Sequence, residues 1–383
     1  MAPLTRAYVV AAALLWLLAL YNALAFRGIF WDGASFLVAM IDAGGFHDGH
    51  TARAYVLRAT QWPAVLALRL GVTDTALLSL AYSAGLFALP TALYHLALHR
   101  VRTNPVLLAA VLAIVAAIYL PTSFFIVGEY NATYAAVTAA IATIAATDSL
   151  EVGDGWLLML LGTLCLRSYE AMVYLGPAVA VMIAWSTVTK RTMPAARLLA
   201  FAAAGLFAGA AIVSLVAALH SWETDYALRV RAAAFDFWQN LQFMIGLATL
   251  CLFAAVALVC PAALRRSWPW TIVAVGAVAY AVSPWLRYIN ELTLLYPPAQ
   301  YVSRTAAGAF LLLMLVAMWL FAIWHRHRPR LFTILGEAGV GRKLVAASFA
   351  LMVASMVPDI VLTRLWTAYL HDFRGLKIGR AHV

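Results

Sequence analysis

WLLMLLGTLCLRSYEAMVYLGPAVAVMIAWSTV, residues 156–188, is the stretch on which the fold turns. As one helix it would be about 50 Å long, against a hydrocarbon core of about 30 Å. It is interrupted by Arg167-Ser168-Tyr169-Glu170 and again by Gly176-Pro177. Two readings compete: one long tilted span, or a pair of short helices turning at 167–170. They give opposite orientations to everything that follows. With the pair, loops 189–197, 263–268 and 325–343 share one side and hold ten Lys and Arg, against four in loops 220–240 and 287–304. Cytoplasmic loops concentrate basic residues, so the pair is favoured.

The composition agrees with a membrane chain. Of 383 residues, 65% are hydrophobic and 11% charged, with a mean hydropathy of +0.89; a soluble domain carries roughly 25% charged residues. The net charge of +10 is what basic loops facing anionic lipid produce, and it does not indicate nucleic acid. Cys165, Cys251 and Cys260 lie in apolar runs and have neither metal-ligand nor disulfide spacing. No Walker loop, dinucleotide fingerprint, zinc spacing or Ser-His-Asp signature is present.

The expected architecture is an all-α polytopic membrane protein of about eleven transmembrane helices, with the amino end inside and a long first outer loop at 27–74. Within that loop, Gly33–Ile41 and Tyr55–Leu70 read as short amphipathic helices lying in the interface, and 44–50 (GGFHDGH) reads as a turn. Residues 1–377 form one transmembrane domain in this reading. The last six, Ile378-Gly-Arg-Ala-His-Val383, resemble a translated sequencing adapter, and the natural chain is expected to continue past Lys377.

Polar residues tight against apolar sequence are the site candidates. Asp32 follows Phe30 and Trp31 where the first helix leaves the bilayer; a carboxylate at that depth is costly unless something uses or pairs it. Glu129 sits beside Tyr130, Asn131 and Tyr134, where it could hold a divalent metal, orient a hydroxyl or cap a helix. Arg167 and Glu170 are three apart; on a helix they would share a face and pair, as a structural or a functional contact. Trp222 and Tyr296 lie in aromatic outer loops suited to a sugar face or to lipid headgroups. Arg287 and Arg304 flank the last large outer loop and could hold a phosphate by charge and bidentate hydrogen bonds, or reach for headgroups.

With Trp31-Asp32 after the first span, interface helices around Phe36–Ile41 and Tyr55–Leu70, and a break at Arg167–Glu170, the layout resembles the GT-C superfamily of membrane glycosyltransferases. The chain departs from the paired Asp-Glu of many members, since Gly33 follows Asp32. The resemblance implies transfer of a hexose or pentose from a polyprenyl-phosphate carrier to an acceptor hydroxyl. The setting would be the outer face of a bacterial inner membrane, and the reaction an inverting single displacement. Asp32 would be the general base, its carboxyl raised by desolvation beside Phe30 and Trp31. Arg287, Arg304 and Arg167 would bind the phosphate and stabilise its departure. Glu129 and Glu170 would orient groups or hold a divalent metal, with Trp31, Trp222 and Tyr296 contacting sugar or lipid. The rival is a transporter or flippase without chemistry, using the same charges as a substrate path.

Overall fold

The computed structural model describes residues 3–47, 49, 51–123, 128–219, 235–285, 298–324 and 330–380. It is helical almost throughout. Among the described residues, eight helices are long and apolar enough to cross a membrane, which makes the chain an all-α protein of the polytopic membrane type.

The first helix, α1 (Pro3–Leu24), leads through a 3-10 turn at Arg27–Ile29 into α2 (Asp32–Ala43) and α3 (Ala54–Arg69). These two match the expected interface helices. The exposed face of α3 carries Trp62 and Leu66 between Arg58 and Arg69, the pattern of a helix lying at a lipid boundary. Its opposite face, with Val56, Leu57, Ala64 and Val65, is completely buried. α3 rides on α4 (Thr75–Val101) at Gly85, where even one added carbon would stand 2.0 Å from the Thr60 carbonyl oxygen. α4 starts where the Asp74 carboxylate accepts from the Ala76 and Leu77 amides at 2.7 and 3.1 Å.

α5 (Pro105–Thr122) begins at Asn104, which caps it with Pro105 in the first turn. It contains a π-turn at Val115–Tyr119, and the Tyr280 hydroxyl donates to the Ala116 carbonyl within it at 3.0 Å. α6 (Glu129–Ala146) is buried along its length. Its Thr133, Thr138 and Thr143 hydroxyls donate back to carbonyls one turn earlier, at 2.6–2.8 Å, so these three hydroxyls are satisfied within the helix.

α7 (Val152–Leu166) and α8 (Met172–Thr189) are the two halves of the opening stretch. The strand β1 (Ser149–Leu150) enters α7, and β2 (Arg191–Thr192) leaves α8. The two strands pair in parallel, Ser149 opposite Arg191 and Leu150 opposite Thr192. The chain therefore goes out along α7 and returns along α8 to the end it left, as the distribution of basic loops requires. α9 (Pro194–Leu219) packs along both.

α10 (Leu241–Val259), α11 (Trp268–Val282), α12 (Pro298–Trp324), α13 (Arg330–Leu335) and α14 (Ala338–Arg380) complete the bundle. At 43 residues, α14 is about 65 Å long, twice the hydrocarbon thickness.

Contacts sort the connections into two ends. At one, Lys190 bonds the Ile144 and Thr147 carbonyls, Arg100 pairs with Asp154 at 2.7 Å, Arg265 pairs with Glu337 through Nε–Oε2 at 3.0 Å, and Gly341 lies against Pro105. At the other lie the turn 25–32, the start of α6, the break between α7 and α8, and the start of α12. The second end carries the candidate site.

Candidate functional site

The break between α7 and α8 is the anchor. The chain leaves helical geometry at Arg167 (φ −132, ψ 73), and the first loop fills the gap. The Tyr55 and Val56 amides donate to the Arg167 carbonyl at 3.0 and 3.5 Å, and the Arg167 guanidinium lies 5.9 Å from the Tyr55 ring centre. The expected Arg167–Glu170 helix pair is not what forms: the two flank a break rather than sharing a face, and Glu170 takes Arg53 instead.

Arg53 is the centre of the cluster and was invisible in the sequence. It ends the short 3-10 turn Thr51–Arg53. It donates to Glu170 through Nε at 2.9 Å and Nη2 at 2.6 Å, and reaches Glu129 through Nη1 at 3.3 Å. Its guanidinium stands 5.5 Å from the Tyr169 ring centre. Its partners are 76 and 117 positions away, so no local pattern marks it. Burial disfavours the Arg53 charge, but Glu170 and then Glu129 more than offset this and hold its pKa above the ordinary value. Burial also pushes the Glu170 carboxyl upward; Arg53 outweighs it by charge and hydrogen bond, so Glu170 stays below the usual range.

Glu129 is 3% exposed and opens α6 behind Gly128, whose φ of 86 suits glycine. Arg304 arrives from α12. Gly308, one turn on, lets α12 approach so closely that an added carbon would stand 2.4 Å from the Tyr134 hydroxyl. Tyr134 donates to the Arg304 carbonyl at 2.7 Å. The Arg304 guanidinium is 5.7 Å from the Tyr169 ring centre, so Tyr169 has both arginines against it, and its charge reaches Glu170.

Asp32 begins α2, preceded by Trp31 at φ 52, ψ −119, a conformation an L side chain rarely adopts. Asp32 is exposed, which corrects the expectation of a desolvated carboxylate: the turn swings it past Phe30, which is buried against Leu362 and Trp366. Being in the first turn of α2, it faces the positive end of the helix dipole. The ring of Tyr82, a fully buried α4 residue, lies beside this turn: a carbon added at Gly33 would stand 3.6 Å from its Cε1. Trp31 is 57% exposed.

Contacts thus link Glu129, Arg53, Glu170, Tyr169 and Arg304, at the end of the bundle where the turn delivers Asp32. Arg287, Trp222 and Tyr296 lie outside the described residues. Among the described residues no three His, Cys, Asp or Glu side chains come together as metal ligands.

A second charged network bolts the turn that delivers Asp32. Arg27, completely buried, pairs with Asp359 of α14, donates to Thr363 at 3.0 Å and Ser123 at 3.4 Å, and lies 5.2 Å from the Phe87 ring centre. Asn22 donates to Asp359 at 3.2 Å and accepts from Thr363 at 3.0 Å. Here the sequence did hold a signal: Asp359 sits in the last apolar run, and an ionisable residue in such a run implies a partner. No family model, curated protein or solved structure matches this chain.

Proposed function

We propose that the chain is a membrane glycosyltransferase of GT-C type, moving a hexose or pentose from a polyprenyl-phosphate carrier to an acceptor hydroxyl. In this reading Glu129–Ala146, Val152–Leu166 and Trp268–Val282 cross the bilayer along with the eight helices already counted, giving eleven crossings. The amino end is cytoplasmic, and the Asp32–Arg304 end faces outward from a bacterial inner membrane.

The observation that carries the reading is the gathering, at one end of an apolar bundle, of an accessible carboxylate and an arginine 272 positions later in the sequence, with two acids and a second arginine between them. Asp32 takes the proton of the acceptor hydroxyl as its oxygen bonds to the anomeric carbon. The bond from that carbon to the phosphate oxygen breaks, and its electron pair leaves with the lipid phosphate. Arg304 is the candidate for stabilising that charge, and Arg53 serves as the counter-charge of Glu129 and Glu170. Arg167, stacked on Tyr55, shapes the break in this scheme rather than holding phosphate. A carrier lipid would enter along the exposed face of α3, at Trp62 and Leu66. A transporter without chemistry would place its charges near the bilayer midplane, whereas the charged groups here gather at helix ends.

The test uses the purified protein in lipid nanodiscs with a polyprenyl-phosphate hexose and pooled acceptor lipids and glycans. Release of lipid phosphate is expected, and Asp32→Asn should lower it about a hundredfold or more with the fold intact. Movement of the lipid across a proteoliposome bilayer with no bond cleavage would replace the enzyme by the flippase.

A further inference from the structure

At the end of the bundle opposite the candidate site, four side chains of α1 and α4 form a hydrogen-bonded row that the proposed chemistry does not use. His95 and His99, one turn apart, share a face of α4. Trp16 donates through Nε1 to His95 Nδ1 at 3.1 Å. The Tyr8 hydroxyl lies 2.8 Å from His95 Nε2 and 3.2 Å from His99 Nδ1. An indole nitrogen only donates, so His95 Nδ1 must accept, and the neutral ring then carries its hydrogen on Nε2. That N–H donates to the Tyr8 oxygen, which leaves the Tyr8 O–H for His99 Nδ1. The donor at Trp16 thus orients every bond in the row, and the row needs both imidazoles neutral. It also argues against a metal ion on His95 Nε2, because Nδ1 would then carry a hydrogen facing that of Trp16.

We propose that Trp16, His95, Tyr8 and His99 form a proton-operated clasp between α1 and α4, closed while both rings are neutral and opened by one proton from the surrounding water. His99 is exposed and His95 half-buried, so water reaches the row from the helix end. A proton taken up by His99 lands on Nδ1 and removes the acceptor of the Tyr8 O–H. One taken up by His95 lands on Nδ1 and removes the acceptor of the Trp16 N–H. The charged groups at this end do not offset the added charge. Arg6 of α1 is exposed. On α4, Arg100 pairs with Asp154 of α7 at 2.7 Å, and Arg102 donates to the His99 carbonyl at 2.6 Å. On α14, Arg342 and Lys343 donate to the Ala338 and Arg265 carbonyls at 3.3 and 3.2 Å. Of the acids, Glu151 caps α7, Glu337 takes Arg265 and Asp148 is exposed; among the described residues none forms an ion pair with either ring. Little else holds α1 there: before Ala11 its core contacts come from the half-buried Leu4, Ala7 and Tyr8, while Val9 and Val10 are exposed. Opening the clasp therefore frees the first two turns of α1, whatever reaction the opposite end performs.

The experiment measures amide hydrogen exchange of the full chain in lipid nanodiscs, corrected for the chemical exchange rate. It compares about pH 7.5 with about pH 5.5, either side of the ordinary histidine value of about 6.5. In wild type the amides of residues 7–10 should exchange about tenfold faster at the lower pH, while those of 133–143 in α6 should not change. Tyr8→Phe removes both bonds of the hydroxyl and should exchange fast at both pH values. Replacing both rings, His95→Gln with His99→Gln, leaves nothing to titrate and should abolish the pH difference, which keeps the test open if Tyr8→Phe does not fold. No acceleration in wild type overturns the clasp, as does an equal acceleration in α6, which marks general loosening. A pH difference that survives in Tyr8→Phe or in the double variant places the proton on another group and also overturns it.

Discussion

Arg27 and Arg53 sit at the same end of the bundle, and each joins helices far apart in the sequence. They differ in access to water. Arg27 pairs with Asp359, and both side chains are essentially dry, 0% and 2% exposed. Arg53 pairs with Glu129 and Glu170, and its cluster is part open, with its own side chain 14% exposed and Glu170 at 22%. A dry pair fixes geometry and offers nothing to a ligand. A wet cluster with an extra acid and a neighbouring arginine can exchange partners when a charged or hydroxylated molecule arrives. The first reads as the bolt holding the Asp32 turn, the second as the working surface.

The hardest blow to this contrast is Asp359→Ala, which leaves Arg27 buried without its counter-charge. It should cost about 3–5 kcal/mol, seen as a large fall in melting temperature or loss of folded protein. Replacing both partners, Arg27→Met with Asp359→Leu, should restore most of that stability, because the penalty lies in the lone charge. If Asp359→Ala is nearly neutral, the pair is not a bolt.

Gly85→Ala tests how the Arg53 cluster is assembled. The new methyl would meet the Thr60 carbonyl oxygen at 2.0 Å, so α3 must lift from α4, at about 1–3 kcal/mol. Since Arg53 immediately precedes α3, limited proteolysis around residues 44–53 should accelerate as well.

Glu170→Gln should be milder, about 1 kcal/mol near neutral pH. Its informative readout is pH dependence. The Glu170 carboxyl titrates below its unfolded value, because Arg53 outweighs burial. Its contribution is therefore complete above the ordinary glutamate pKa of about 4.3 and is lost as pH falls from there through the lower folded value. The wild-type stability curve should drop across that acidic window, and the variant curve should be flatter there. At the opposite end, Arg265→Ala removes a solvent-exposed pair with Glu337 and should leave the melting temperature unchanged within error. A measurable loss there would show that the two ends are less different than their burial implies.

Much of the architecture was legible because it follows from local chemistry. Arg167-Ser168-Tyr169-Glu170 cannot stay helical at membrane depth without partners, and the chain does break there. Asp74 and Asn104 cap the helices they precede. The period of apolar residues in Tyr55–Leu70 put α3 on a surface. The candidate site was legible only in part. Glu129 and Glu170 stood out by lying against apolar sequence and Arg304 by flanking the last large outer loop, and the fold brings them together. Arg53 did not stand out, since a basic residue after a glycine-rich turn looks like any solvated loop charge. The Arg167–Glu170 spacing misled, because the rule for residues three apart holds only inside a continuous helix.

The sequence by itself determined a helical, membrane-type chain, the place where the long apolar stretch folds back, and the set of loops that share a side. Those follow from hydrophobicity, helix length and charge bias, which act locally and need no knowledge of neighbours. Only the tertiary structure decided that Glu170 belongs to Arg53, that Arg27 belongs to Asp359, and that the Tyr82 hydroxyl has no hydrogen-bond partner among the described residues. Which charge meets which depends on how helices separated by tens or hundreds of residues pack, and inside a low-dielectric bundle that pairing sets the energy.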